Sequence, residues 1–270
     1  MLSVHSDRLI LIVCTALAAV LGAAFGSFLN CAAWRIAHKE SFLKGRSRCP
    51  KCGHALGALD LIPVFSWLFL RGKCRYCGEK VSIRYLVAEL FFALVTVLCL
   101  LRFDLTFEAL RNWIFLCCLM CLSLVDLEIF EIPDGCLIIA TAAWFAFLPL
   151  VVSDWGTEWK DVVIHLASGI VLGGLMLGIS LLMDRILKRD SLGGGDIKLL
   201  AVCGLYLGSW CSILMLIIAC VLGLVFSLVM KRLGKRGENG EVPFGPSIAL
   251  ASAFVLLYGT GIINAYISLF

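Results

Sequence analysis

An all-α polytopic membrane protein, with about eight transmembrane helices and a small zinc-ribbon-like cytoplasmic domain between helices 1 and 2, is the fold class the sequence predicts. Three observations carry it. The 270 residues are 61% hydrophobic with a mean hydropathy of +0.99, too apolar for a soluble domain and too long for one or two spans. The apolar residues form continuous runs, whereas a membrane β-barrel would alternate with period two. One long polar interval, after the first run, carries two CxxC pairs.

A helical span needs about 20 apolar residues. Runs at 9–34, 85–101, 112–125, 136–153, 162–183, 197–208, 211–230 and 247–268 give eight helices, the sixth short. The first resembles a secretory signal, but its unbroken length and the basic flank at its far end predict a retained helix. The chain then divides into a first helix (1–34), a cytoplasmic zinc-binding loop (35–84), a second helix with its external loop (85–111) and a membrane core (112–270).

Orientation follows from Lys and Arg in the loops. Eleven of them between Arg35 and Arg84 face three carboxylates, Glu40, Asp60 and Glu79, so this loop is assigned to the cytoplasm. The loops with Lys188 and Arg189, and with Lys231, Arg232, Lys235 and Arg236, fall on the same side. Acidic Asp154, Glu158 and Asp161 fall outside, and both termini come out external. The net charge of +4 is thus a topology signal that calls for no nucleic-acid partner.

Ten of the fourteen cysteines lie scattered through apolar segments, where Cys packs as a small hydrophobe. The other four, CPKC at Cys49 to Cys52 and CRYC at Cys74 to Cys77, have zinc-ribbon spacing. Two such turns close a tetrahedral site with no position left for substrate, so the metal would be structural. The loop is read as poor in apolar residues, and metal binding, worth about 10 kcal/mol, would then supply much of its folding energy. Two disulfides are the competing reading, disfavoured in a reducing cytoplasm. His54 could replace a thiolate or sit on the surface.

GSFLN at Gly26 to Asn30 puts a small residue and an amide at the inner end of the first helix, where close packing and capping are the plain explanation. Glu89 lies within the second span, where a carboxylate costs about 3 kcal/mol and faces the protein interior or a water-filled cavity. A pair with Arg84 would account for it structurally.

SLGGGDIKLL places three glycines before Asp196 at the cytoplasmic end of the short sixth helix. A glycine turn and an N-cap aspartate would explain this. Asp126, in SLVDLEIFEIPD, ends the third span on the same side at similar depth. Two carboxylates that meet there share a proton and can hold a water for attack on an amide, which is aspartic-peptidase chemistry. Asp134, after Pro133, is a further candidate whose alternative is to begin the next helix as a cap. In EVPFGPSIAL, Pro243, Phe244, Gly245 and Pro246 break the chain before the last span. They read either as a loop-to-helix junction or, with Gly193 and Gly195, as irregular backbone that holds a substrate extended.

Together GSFLN, the CxxC pairs with GKC at Gly72 to Cys74, IRYLVAE at Ile83 to Glu89, Asp126 with its IPD, GGGD as a GxGD form and PFGP resemble the bacterial type IV prepilin peptidases, in order over residues 20 to 250. The resemblance implies a bifunctional inner-membrane enzyme that removes the basic leader of type IV prepilins and type II secretion pseudopilins after a glycine. It then methylates the new N-terminal residue, commonly phenylalanine, with S-adenosylmethionine. The catalytic pair falls on Asp126 and Asp196, and the thiolates Cys49, Cys52, Cys74 and Cys77 fall in the part tied to methyl transfer. Val125, Gly194 as the x of GxGD, and Leu86 depart from frequent choices without removing a chemical group.

No GxGxxG follows a strand, so the methyl donor has no recognisable nucleotide fold; Asn30, Arg35, Gly72, Lys73, Arg84 and Glu89 mark the candidate region. A peptidase with the zinc loop as a substrate-docking module is the nearest alternative. A transporter or scaffold with ion-carrying aspartates is the more distant one, and it predicts charges deep in several spans. Glu128, Glu131, Asp134, Glu238 and Glu241 offer an acidic surface to a basic leader, or are solvated loop charges.

Overall fold

The structure, a computed structural model, describes residues 7–41, 45–155, 159–188, 192–232 and 243–269. Lys44, Glu158, Arg189, Lys235, Arg236, Glu238 and Glu241, which enter the charge expectations above, lie outside them, as does the side chain of Asp154. The described residues form nine α-helices, and their only strand-like pairings are two isolated bridges. The chain divides into two compact units, Met1–Ala109 and Leu110–Phe270.

In the first unit, α1 (Arg8–Ala37) starts at Asp7, whose carboxylate accepts the Leu9 N–H. The long helix α3 (Ile83–Phe103) starts at Ser82, whose hydroxyl accepts the Arg84 N–H. The two pack through Gly22 and Gly26. A Cβ on Gly26 would stand 2.9 Å from the Ala88 carbonyl oxygen and 3.0 Å from Glu89 Cα, so only glycine lets the backbones meet. That contact is the structural use of the glycine in GSFLN. Between these helices lie the cysteine loop, a 3-10 turn (Ala58–Leu61) and the five-residue α2 (Phe65–Phe69). The expectation of an apolar-poor loop fails over residues 59–70, where Leu59, Ile62, Phe65, Leu68 and Phe69 are all exposed.

The second unit holds α4 (Phe107–Ile129) from Leu110 onward, α5 (Asp134–Trp155), α6 (Trp159–Leu187), α7 (Gly194–Leu207), α8 (Ser209–Arg232) and α9 (Gly245–Ile267). Here α7 is the central element. It touches α5, α6, α8 and α9, Phe115 of α4 stacks on its Tyr206 at 4.0 Å, and the Tyr206 hydroxyl donates to the Ala140 carbonyl of α5. Gly169 of α6 and Gly204 of α7 allow near-backbone contact.

Seven helices among the described residues are long and apolar enough to cross a membrane. The sixth predicted span, α7, is a helix of 14 residues, about 21 Å long against a bilayer core of about 30 Å. Its burial among other helices, and not contact with lipid, accounts for its hydrophobicity.

Candidate active site and metal centre

Helix α4 runs past the expected end at Asp126 to Ile129, so Asp126 lies inside its last turn, buried at 4% exposure. Helix α7 begins earlier than expected. Gly193 is its N-cap, and Gly194, Gly195 and Asp196 form its first three positions, so Asp196 is not the cap. Gly195 leaves room for the chain that follows α4: a Cβ there would stand 3.0 Å from Ile132 Cβ. The carboxylates of Asp126 and Asp196 lie within electrostatic reach of each other.

A third element meets them. PFGP starts α9, with Pro243 buried, Phe244 as N-cap and Gly245 and Pro246 in the first turn. The Gly245 N–H donates to Asp126 Oδ2 at 2.9 Å, and a Cβ on Gly245 would stand only 2.7 Å from that oxygen. One carboxylate is therefore clamped to the N-terminus of a helix, where free N–H groups and the helix dipole favour negative charge. Sequence reading missed this contact, which joins residues 119 apart. The irregular PFGP stretch was the available signal.

Asp134 opens α5 and forms an exposed ion pair with Lys198 of α7, Oδ1 to Nζ 2.8 Å. It stands at the first position of the helix and not, as the alternative had it, at the cap before it. Beside the pair an open apolar groove runs between α5 and α7, lined by Leu137, Ile138, Phe145 and Val202.

In the first unit the four thiols converge. The Sγ atoms of Cys49, Cys52, Cys74 and Cys77 all lie within 4.8 Å of one another. Two near-identical turns present them. The Gly53 N–H donates to the Cys49 carbonyl and the Gly78 N–H to the Cys74 carbonyl, and the left-handed φ of 71° and 72° at these residues explains the glycine after each CxxC. The N–H of Cys52, then that of Lys51, outweigh desolvation and bring the Cys49 thiol down to about 7. The Glu79 N–H lowers Cys77, but desolvation and the other three thiols outweigh it and push it up to about 12. Four thiols this close cannot all ionise without a cation among them, so the donor set fits a divalent metal such as zinc. His54 stacks instead on Tyr76, centroids 3.6 Å apart. Asp60 accepts the Gly57 N–H, the Tyr76 hydroxyl and Arg75, which together hold its carboxyl below the usual range.

The remaining candidates gather at one end of the α1/α3 pair. Gly72, with φ 67°, lies under Trp67, whose Cζ2 would stand 2.8 Å from an added Cβ. Lys73 is exposed and bridges to Lys80. Arg35, in the last turn of α1, reaches the Ser41 carbonyl, and Arg84 is in the first turn of α3. Glu89 is buried, and its Oε2 accepts the N–H of Val64 at 2.7 Å. Asn30 is 4% exposed, and its Nδ2 has no hydrogen-bond partner among the described residues. The Val64 contact was invisible in the sequence, since it joins a span to a loop residue 25 positions away.

Residues 20–103 match the family model described as the bacterial peptidase A24 N-terminal domain, and residues 113–228 match the type IV leader peptidase family. Among curated relatives, the prepilin leader peptidase/N-methyltransferase of Dichelobacter nodosus is 33% identical over 85% of this chain and 81% of its own. That of Bacillus subtilis is 30% identical over 93% and 96%. That of Myxococcus xanthus is 32% identical over 82% of this chain, which spans 66% of the Myxococcus protein. No solved structure matches.

Proposed function

The chain belongs to the type IV leader peptidase family, and on that premise we propose that it is a bifunctional membrane enzyme. It cleaves the basic leader of type IV prepilins and type II pseudopilins after a glycine and N-methylates the new N-terminal residue, usually Phe, with S-adenosylmethionine. It works in the bacterial inner membrane with the zinc loop and both aspartates on the cytoplasmic side. The relatives' shared name supports the pairing of activities.

Asp126 and Asp196 are the catalytic pair. The single observation behind this assignment is that Asp126, fixed by the Gly245 amide at 2.9 Å, lies within electrostatic reach of Asp196 in the first turn of α7. One carboxylate takes a proton from water as its oxygen attacks the scissile carbonyl, and the other protonates the carbonyl oxygen. A proton then passes to the amide nitrogen, the C–N bond breaks, and the products are a leader carboxylate and a free amine. Gly193 and Gly245 border the two carboxylates, Gly195 and Pro243 stand beside them in the chain, and the starts of α7 and α9 offer backbone groups to an extended substrate, while the α5/α7 groove suits its apolar part.

Zinc at Cys49, Cys52, Cys74 and Cys77 holds the loop and leaves the chemistry to other groups. S-adenosylmethionine, when bound, supplies an electrophilic methyl group. The region of Asn30, Arg35, Gly72, Lys73, Arg84 and Glu89 fits a polar ligand because the buried Asn30 amide has a free donor there. Glu89 holds the substrate ammonium or accepts its proton, so that a neutral amine meets the methyl carbon.

The test is cleavage of a prepilin in detergent by wild type, Asp126→Asn and Asp196→Asn, with methyl transfer to pre-cleaved pilin assayed separately. Folded variants that methylate but do not cleave support the reading; cleavage by either overturns the dyad. Methyl transfer to pre-cleaved pilin that survives in Glu89→Gln removes Glu89 from that step, and wild-type protein that never methylates leaves a peptidase with a docking loop.

A further inference from the structure

The segment from the 3-10 turn through α2 exposes large apolar side chains on a unit otherwise rich in charge. Phe69 is 83% exposed, Leu59 66%, Phe65 58% and Leu68 53%. Its one carboxylate, Asp60, is engaged by Gly57, Arg75 and Tyr76. Five residues are too few for a helix to stand alone in water, and α2 is held from both sides. The Glu89 carboxylate takes the N–H of Val64, its N-cap, which sits at a left-handed φ of 64°. The Trp67 ring covers Gly72 and donates to the Val81 carbonyl.

The first of these bonds fixes a depth. Arg84 and Arg102 flank the apolar stretch of α3, and Glu89, five residues past Arg84, lies about 7.5 Å along the axis. Helix side chains tilt toward the N-terminus, so Val64 sits level with the first turn of a membrane span, where headgroups give way to acyl chains. Ile83 and Val87, on that turn and the next, are themselves exposed and apolar. Arg71 and Lys73, directly after α2, are exposed cations.

We propose that residues 58–69 form an interfacial anchor. Phe65, Leu68 and Phe69 enter the acyl region of the leaflet at the start of α3, and Arg71 and Lys73 contact anionic lipid headgroups. The zinc-binding unit is thereby seated on the membrane and does not swing from it on a tether. Lipid, and not a soluble protein, is the occupant because the backbone of the segment is bonded to a spanning helix at the depth of the interface.

The experiment places 4-trifluoromethyl-phenylalanine at position 69 of the full chain, in nanodiscs of phosphatidylcholine and phosphatidylglycerol. Position 91, on α3, serves as the lipid reference and position 51, exposed in the first cysteine turn, as the aqueous one. Fluorine relaxation at 69 is expected to follow position 91, strong with dissolved oxygen and weak with a water-soluble nickel chelate. Relaxation like that at position 51 overturns the proposal. So does a label open to the chelate until unprocessed prepilin is added, which would make this a substrate surface. A Phe65→Ser and Phe69→Ser double variant, which alters no cysteine, is expected to be cut by trypsin after Arg71 several-fold faster in the same nanodiscs, with zinc content unchanged; unchanged cutting also overturns the anchor.

Discussion

Replacing Gly245 by alanine places one carbon against the Asp126 carboxylate, which we propose to be catalytic. The added Cβ would stand 2.7 Å from Asp126 Oδ2 and 3.2 Å from its Cγ, where ordinary contact begins at 3.4 Å. The carboxylate, buried in the last turn of α4, must retreat by about 0.7 Å, the difference of 3.4 and 2.7. If it retreats along the line of the 2.9 Å hydrogen bond from Gly245, that bond opens to about 3.6 Å, beyond hydrogen-bonding reach. A hydrogen bond to a charged group is worth about 1.5 to 3 kcal/mol, and a displacement of about 1 Å in a reacting group costs up to about 100-fold. Gly245→Ala should therefore lower prepilin cleavage by about 10- to 100-fold, measured as initial rates of leader release in detergent. The thermal midpoint and methyl transfer to pre-cleaved pilin report on folding and on the other activity. A folded Gly245→Ala protein that cleaves at the wild-type rate would refute both the geometry and the role given to it.

Gly26→Ala should loosen α1 from α3, because the new carbon meets backbone at 2.9 Å and cannot be relieved by a rotamer change; a loss of about 1 to 3 kcal/mol is expected, read as a lower unfolding midpoint. Cys49→Ser should reduce zinc from one ion per chain to none and open residues 45–82 to limited proteolysis. Because protons compete with the metal for thiolates, and the Cys49 thiol is brought down to about 7, zinc retention against a fixed chelator should fall as pH drops from about 8 to about 6; retention that rises on acidification would contradict the site. Glu89→Ala removes the acceptor of the Val64 N–H and should cost about 1 to 3 kcal/mol with faster proteolysis near α2, whereas Glu89→Gln keeps an acceptor oxygen and should leave that stability nearly intact.

What the sequence determined by itself is whatever depends on local spacing. Long apolar runs are spans because the bilayer fixes their length, and two CxxC pairs converge on one four-thiol cluster that fits a metal because each turn aims its own thiols. Tertiary structure alone decided which groups face those residues. Nothing local in Val64 shows that its N–H is bonded to a carboxylate in a membrane helix, and nothing in PFGP shows that its amide clamps Asp126 from 119 residues away. The same limit explains α7. A 14-residue apolar stretch reads as a short span, yet its hydrophobicity is spent on neighbouring helices, and hydropathy does not distinguish burial in protein from burial in lipid. The exposed face of α2 is the converse case: its apolar residues find no protein core among the described residues, and only the bond between Glu89 and Val64 gives them a depth.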